Sequence, residues 1–239
     1  MTHDNEDSLQ NQTADYVAAA AKSILGIVPF AGSLLVELVG IIIPNQRVDR
    51  IAKFAAALQA KLTTLDQEFV RAKLTDENFS DLMEEGLRQA ARSLSDERRE
   101  YIASVICSGL SSEEIQFAEA KHMLKILGEI SDVEVIWLRY YLVTTKGADD
   151  AYRAKHTSIL TPLTVYPRAP SDIRDKAALQ HNYKERLCQL GLLERRYETD
   201  PQTHLPIFDS LTGNAKVHGY QITALGRLLL RQIGLKADE

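Results

Sequence analysis

One strongly apolar stretch, residues 23–44, limits what this chain can fold into. It reads SILGIVPFAGSLLVELVGIIIP and holds a single charged side chain, Glu37. The chain as a whole carries a net charge of −5, and 26% of its residues are charged. Because a protein of this composition cannot leave so large an apolar surface in water, we expect the stretch to be covered by its own fold, by a partner or by a membrane.

The apolar stretch is predicted to form a helical hairpin. Pro29 removes a helix hydrogen-bond donor and clashes with the preceding turn, so we expect two helices, Thr13–Val28 and Phe30–Ile43. Each is roughly 21–24 Å long, against a hydrocarbon core of ~30 Å. We therefore favour burial in the chain's own bundle or a partner, with a membrane-active hairpin as the alternative. The residues expected to make these contacts are Ile24, Leu25, Phe30, Leu34, Leu35, Ile41, Ile42 and Ile43.

Composition favours two domains in a reducing compartment. A chain of 239 residues with 45% hydrophobic content can bury a substantial core. Residues 1–130 hold 13 Lys and Arg against 20 Asp and Glu, whereas residues 131–239 hold 15 against 13. This asymmetry favours a boundary near residue 130, so the prediction is a disordered start at 1–12, a helical bundle at 13–130 and a second domain at 131–239.

The two cysteines are far apart and form no CxxC pair, which indicates reduced thiols. Acidic residues, rather than a basic segment, precede the apolar run, so we do not expect a cleaved secretory signal. The predicted location is cytoplasmic, with peripheral attachment at the inner membrane as the variant that a membrane-active hairpin would require.

A heptad-like pattern follows the hairpin. Apolar residues step by three and four, which predicts one long helix over 46–74 with a single apolar seam. The seam consists of Val48, Ile51, Ala55, Leu58, Leu62, Leu65 and Phe69. We expect the preceding hairpin to pack on this seam, and the alternative is a coiled-coil dimer.

Capping signals predict further helices. Ser95 precedes a helix over 96–108 that ends at Gly109, and serine and glutamate have capping-box spacing at 111/114 and 131/134. We therefore expect the first 145 residues to be entirely helical. Thr144–Asp150, TTKGADD, is typical of a linker.

The C-terminal part is predicted to be a winged helix-turn-helix. Ser171 is the expected N-cap of a helix that ends at Gly191, and two strands follow at 192–199 and 216–222, joined by a polar loop. Thr223 caps a last helix over 224–233. The fold class is therefore mainly α: an N-terminal helical bundle with an apolar hairpin, then a C-terminal α+β winged-helix domain.

Two resemblances accompany this reading. Two C-terminal motifs, LxxLGLL and YxITxxG, resemble the sequence around the wing of winged-helix domains. Their residues are Leu187, Leu190, Gly191, Leu192, Leu193, Tyr220, Ile222, Thr223 and Gly226. The overall plan is similar to bacterial Abi-alpha-like proteins of abortive infection. That resemblance implies a phage-defence protein in which a membrane-seeking or partner-binding helical part is controlled by another part.

Motifs for catalysis are few. The sequence contains no Walker loop, GxSxG elbow or HExxH, and its one ExxH pair, Glu119 and His122, has no second copy for a di-metal site. We expect a protein that is not an enzyme and that binds neither metal nor small-molecule cofactor. Arg174 and His181 have the spacing that resembles HEPN ribonucleases, but about one such match arises by chance in a chain of this composition. A ribonuclease stays the enzymatic alternative.

Six basic residues and one asparagine of the C-terminal domain could contact nucleic acid. They are Lys176, Asn182, Lys184 and Arg186 on the predicted recognition helix, and Arg195, Arg196 and Lys216 on the wing. A winged helix would present the first group to the major groove and the second to phosphates. Because acidic residues are interleaved with both groups, we favour a protein partner or self-association over DNA.

Overall fold

The computed structural model describes residues 48–73, 76–110, 114–143, 149–163, 166, 168–210 and 213–235. The described residues are mainly helical, with 65% of them in helices and a small two-stranded antiparallel sheet near the C-terminus. It divides into two compact units, one of residues up to Gly128 with Gln232–Gly234, the other of Glu129–Arg231 with the residues from Leu235 on. The predicted hairpin, its contact residues and the polar start lie outside the described residues.

The first unit is a helical bundle. Its helices are α1 (Val48–Leu62), α2 (Gln67–Lys73), α3 (Glu77–Arg92), α4 (Asp96–Ser108) and α5 (Glu114–Glu129). Helix α1 packs against α3 and α4, which also pack against each other. Phe54, Phe79, Leu87 and Ile106 are fully buried and form the centre of the core.

The predicted single helix over 46–74 is wrong, because α1 ends at Leu62 and α2 begins at Gln67. The Thr64 hydroxyl donates to the Lys61 carbonyl at 2.7 Å, and the Gln67 side-chain amide donates to the Leu62 carbonyl at 3.1 Å. The Asp66 carboxylate then accepts from the Phe69 amide at 2.8 Å. Side chains at the break thus satisfy backbone groups that a continuous helix would have paired with one another.

The apolar seam of α1 is used within the first unit. Ile51, Ala55 and Leu58 have no exposed surface and Leu62 is 2% exposed. Helix α1 packs on α3 and α4, so the buried seam belongs to the core of this unit. The predicted packing of the preceding hairpin on the seam lies outside the described residues.

Helix starts in the first 140 residues follow the capping signals where the structure describes them. Ser95 Oγ accepts from the Arg98 amide at 2.9 Å, and Ser131 and Glu134 form a complete capping box. The helix after Ser131 spans Asp132–Tyr140. Ser111 lies outside the described residues, and the helix that it was predicted to cap begins at Glu114.

The second unit combines helices with the two-stranded sheet. Its elements are α6 (Asp132–Tyr140), α7 (Asp150–Lys155), α8 (Thr157–Leu160), α9 (Ser171–Gln189), β1 (Leu193–Tyr197), β2 (Val217–Ile222) and α10 (Ala224–Gln232). The strands pair antiparallel, with Leu193 opposite Ile222 and Arg195 opposite Tyr220. Thr223 Oγ1 accepts from the Gly226 amide at 3.0 Å, as the predicted cap requires.

The start of α9 differs from the prediction. Pro170 occupies the N-cap, and Ser171 is the first helical residue, so the expected Ser171 cap is wrong. At the other end, Gly191 adopts a φ of +72°, the left-handed conformation that glycine adopts without strain. The chain therefore turns sharply out of α9 into β1.

The predicted linker at Thr144–Asp150 ends in a buried ion pair. Asp149 accepts two hydrogen bonds from the Arg139 guanidinium, at 2.6 Å and 2.9 Å. The two side chains are 1% and 2% exposed, and the Arg139 guanidinium lies 4.8 Å from the centroid of the Tyr152 ring. Asp149 is thus anchored to α6, contrary to the linker prediction for this residue; residues 144–148 lie outside the described set.

Candidate functional site

Helix α9 and the β1–β2 hairpin carry all seven residues predicted to contact nucleic acid. Helix α9 packs against α6 and β1, and Leu187 is the buried residue of this helix. Leu192, Leu193 and Ile222 fix the base of the hairpin in the core. Most side chains of α9 and β1 therefore lie at the surface.

Lys184 points into an aromatic cluster, which we define as Trp137, Tyr140, Tyr141 and Tyr220. Its ammonium nitrogen lies 4.6 Å from the Trp137 ring centroid and 5.8 Å from that of Tyr220. Burial lowers the pKa of Lys184. A half-buried lysine held on aromatic faces gains cation–π attraction and is poorly placed to reach a phosphate.

Arg195 is bound to Glu185 on α9. The guanidinium Nε lies 3.1 Å from one carboxylate oxygen, and the Tyr220 hydroxyl donates to the other at 2.9 Å. The hydrogen bond from Arg195 is the main cause of a lowered pKa at Glu185, so this carboxylate stays ionised. Burial, reinforced by the bond to Glu185, raises the pKa of Tyr220. The positive charge of Arg195 is therefore neutralised within the unit.

Arg186 is also used internally. Its guanidinium donates to the carbonyl of Glu129, the first residue of the second unit, and its Nε lies 3.5 Å from Glu134. Glu134 is 2% exposed and accepts the Ser131 amide at 2.6 Å as part of the capping box. Arg186 thus closes a network at the start of α6, although half of its own side chain is exposed.

The other four predicted residues are exposed: Lys176, Asn182, Arg196 and Lys216. Lys176 lies 3.9 Å from Asp172 on the same helix, at the limit of an ion pair. Arg196 lies between Glu194 on β1 and Glu198, the residue that follows β1. Lys184 contacts the Tyr220 ring, and Arg195 is joined to Tyr220 through Glu185, so both cations belong to one partly buried cluster. Lys176, Asn182, Arg196 and Lys216 lie on a surface of mixed charge.

The described residues of the loop between the strands continue the hairpin, and we call residues 197–210 and 213–217 the wing arm. The Ile207 amide donates to the Glu198 carbonyl at 2.8 Å, and the Lys216 amide donates to the Ile207 carbonyl at 2.8 Å. Bridges between Thr199 and Pro206 and between Phe208 and Ala215 continue the pairing. The arm is therefore held by backbone hydrogen bonds over much of its length.

Four large apolar side chains of the wing arm are exposed, and we call them the wing patch. They are Tyr197 (43% exposed), Leu205 (64%), Phe208 (62%) and Val217 (43%). Tyr197 and Val217 face each other in the strand register. Sequence reasoning treated this region as a polar loop and missed the patch; the short run Leu205, Ile207, Phe208 was the available signal.

The described residues do not bring the side chains of the catalytic alternatives together into a site. Arg174 and His181 are both exposed on α9, about 10.5 Å apart along its axis. Within the described part of the chain, no group of three or more His, Cys, Asp and Glu side chains could hold a metal ion. The ribonuclease reading stays a prediction that rests on spacing.

Comparisons with protein-family models, with curated proteins and with solved structures found no match. Among the helices that the structure describes, none is long and apolar enough to cross a membrane.

Proposed function

We propose that this protein is a non-enzymatic interaction protein with two parts. The helical first unit covers the apolar segment 23–44, and the second unit is a winged-helix module that binds a protein partner through its wing arm. The order α6, α7–α8, α9, hairpin, α10 supports a winged helix, with α9 in the position of the recognition helix. The similarity to abortive-infection proteins suggests growth arrest or phage defence as the outcome of releasing the segment.

One observation carries the choice of a protein partner. Lys184, Arg186 and Arg195, which a DNA-binding winged helix would use, are engaged within the unit, whereas the wing patch exposes four large apolar side chains. Phosphate backbones are bound by cations that are free to neutralise them. Aromatic side chains such as Tyr197 and Phe208 are instead enriched at protein–protein interfaces.

Site-specific photocrosslinking in cells tests this proposal. A photoreactive amino acid in place of Phe208 should trap a discrete protein partner, and the same group in place of Leu94 should not. Leu94 is the matched control because it is 83% exposed but lies in the first unit. Equal crosslinking at the two positions, or none at Phe208, would argue against the wing arm as a protein-binding element.

DNA binding is the second candidate, and the exposure of Arg196 and Lys216 on the wing is the observation that favours it. If the module binds DNA, replacing both by alanine should lower the slope of log affinity against log salt by roughly 2, about 0.9 for each lost phosphate contact. Arg195→Ala is the control, since Arg195 is already paired with Glu185. Under the protein-binding proposal, a mixed-sequence duplex shows no submicromolar binding at physiological salt.

The membrane consequence has its own test. If the released segment acts on a bilayer, overproduction should arrest growth, and Ile42→Asp should abolish the arrest. A charged side chain at the centre of a bilayer costs roughly 2.5–3.5 kcal/mol on the insertion scale. Growth arrest that survives Ile42→Asp would remove the membrane from the proposal, and Ile42→Leu serves as the conservative control.

A further inference from the structure

The outer edge of β1 is an open strand edge that continues into the wing arm. The Glu198 amide donates to the Lys216 carbonyl at 2.9 Å, and the Glu198 carbonyl accepts from the Ile207 amide at 2.8 Å, so the backbone of Glu198 points into the hairpin. Successive residues of a strand direct these groups to opposite sides, so Tyr197 and Thr199 direct theirs to the outer edge. No described residue hydrogen-bonds to the backbone of Tyr197 or Thr199 at this edge. Such an edge is a template for pairing with another strand.

The wing patch borders this edge. Tyr197 lies opposite Val217, and Thr199 lies opposite Pro206. Because paired residues share a face, as do residues two apart in a strand, Phe208 lies on the same face as these four. Tyr197, Phe208 and Val217 are 43%, 62% and 43% exposed, so an apolar face of the wing arm reaches the open edge. A two-stranded hairpin is only marginally stable in water, and added strands with an apolar face stabilise it.

Charges of alternating sign mark the other face of the same edge. Glu194, Arg196 and Glu198 are exposed and lie two residues apart. In an antiparallel edge contact, residues that direct their backbone groups outward pair with each other, so a twofold axis between two copies of this strand passes through a residue. An axis at Tyr197 places each Arg196 opposite Glu198 of the other copy, an attractive cross-strand pair that occurs twice. An axis at Arg195, Arg196 or Glu198 would place two identical charges opposite each other.

We infer that two copies of this chain form a dimer by antiparallel pairing of their β1 edges, with Tyr197 of one copy opposite Tyr197 of the other. The inference deepens the proposed function, on which it rests, by naming a second copy of the chain as the partner of the wing arm. The pairing joins two hairpins into a four-stranded sheet. It brings the two wing patches together on one face, with the two Tyr197 rings as a cross-strand aromatic pair.

The other charges near the edge are compensated within each copy. Glu194 comes level with Asp200 of the second copy in this register. The Asp200 carboxylate, however, is turned into its own loop, where it accepts from two backbone amides at 2.9 Å and 2.8 Å. Arg195 comes level with an uncharged residue and is held by Glu185 of its own copy. The two Arg196–Glu198 pairs therefore decide the register.

Disulfide trapping tests this register. In a chain with Cys107→Ala and Cys188→Ser, Tyr197→Cys should form an intermolecular disulfide under mild oxidation, because hydrogen-bonded partners on antiparallel strands have Cα atoms about 5.5 Å apart. Thr199→Cys is the matched control, since it lies on the same edge and the same face. Its two copies would be separated by roughly 13 Å along the strands, beyond the limit of about 7 Å for a disulfide. Equal yields of covalent dimer at the two positions, or none at position 197, would overturn the pairing.

A charge exchange provides an independent readout by sedimentation equilibrium. Arg196→Glu or Glu198→Arg alone places like charges opposite each other twice in the dimer and should raise its dissociation constant about tenfold or more. The double variant restores opposite charges and should return the constant towards that of the unmodified protein. Lys176→Glu, which removes an exposed cation of α9, is the control and should leave the constant unchanged. A double variant that dimerises no better than the single variants would overturn the Arg196–Glu198 pairs.

The same measurement separates this inference from the proposed function. An unmodified protein that stays monomeric up to about 100 μM would overturn the second copy as the partner. In that case, a discrete crosslink from position 208 to a different protein would refute the dimer alone and leave the wing arm as a protein-binding element. A monomer that also gives no crosslink at position 208 would refute the proposed function as well.

Discussion

The buried pair Arg139–Asp149 gives the sharpest prediction for stability. Both side chains are at most 2% exposed and are joined by two hydrogen bonds of 2.6 Å and 2.9 Å. Asp149→Ala leaves the Arg139 guanidinium buried without its carboxylate, beside the Tyr152 ring, whose centroid lies 4.8 Å away. Removing one partner of a buried ion pair costs about 3–5 kcal/mol. We expect the second unit to lose a free energy of unfolding of this size.

The assay is urea unfolding followed by tryptophan fluorescence. Trp137 is the single tryptophan of the chain and lies on α6 two residues before Arg139, so its signal reports on the second unit. Asp172→Ala is the matched control, because Asp172 forms a loose, exposed pair with Lys176 and should cost no more than about 0.5 kcal/mol. A loss below about 1 kcal/mol for Asp149→Ala would refute the reasoning that this pair anchors the segment before α7.

Three further predictions concern packing, capping and ionisation. Gly226→Ala should lower the unfolding free energy of the second unit by about 1–3 kcal/mol, because the added Cβ would clash with the Leu192 carbonyl oxygen. Gly219→Ala is the control, because nothing lies within 4 Å of a Cβ added at that position. Equal effects of the two substitutions would contradict the clash. Ser131→Ala removes the capping hydrogen bond to Glu134 and should cost about 1 kcal/mol in the same fluorescence assay, with an unchanged midpoint as the contrary result. Burial raises the pKa of the Cys107 thiol from 9.0 to about 12, so the unfolded chain releases this proton first. Stability should therefore fall between about pH 9 and 12 more steeply for the unmodified protein than for Cys107→Ala, measured by far-ultraviolet circular dichroism, and parallel curves would refute it.

Local signals predicted the helix and strand framework well. Ser95, the Ser131–Glu134 box and Thr223 cap helices as expected, because a cap is satisfied within three residues and depends little on the rest of the fold. The order of α9, the two strands and α10 likewise follows from Gly191 and the alternation of residues after it. These features are local, so a single sequence carries them.

Features that depend on side-chain partners were harder to predict. The seam through Leu62 and Phe69 continues at helical spacing, but spacing does not show that Thr64, Asp66 and Gln67 bind backbone groups and end α1. Asp149 looked like part of a polar linker because its partner, Arg139, lies ten residues earlier. In both cases the deciding contact is made by a side chain that composition treats as solvated.

The candidate site shows the same distinction. Sequence alone identified the cations of α9 and the wing but not that Glu185 holds Arg195 or that Trp137 lies beneath Lys184. The exposure of Phe208 and Leu205 depends on the pairing of the wing arm, which follows from backbone bridges across a proline-containing loop. The charged residues could be counted from the sequence, but the sequence does not show which cations are already paired within the fold and which are free to bind a ligand.

The most direct test of the central claim is the accessibility of the apolar segment in the folded protein. In a chain with Cys107→Ala and Cys188→Ser, the alkylation rate of the thiol introduced by Leu34→Cys is measured in native buffer and in urea, with Leu94→Cys as the exposed control. If the first unit covers the segment, the thiol at position 34 should react at least about tenfold more slowly in native buffer than in urea. The thiol at position 94 should react at similar rates in native buffer and in urea. Equally fast reaction at position 34 in both conditions would contradict the claim that the segment is concealed.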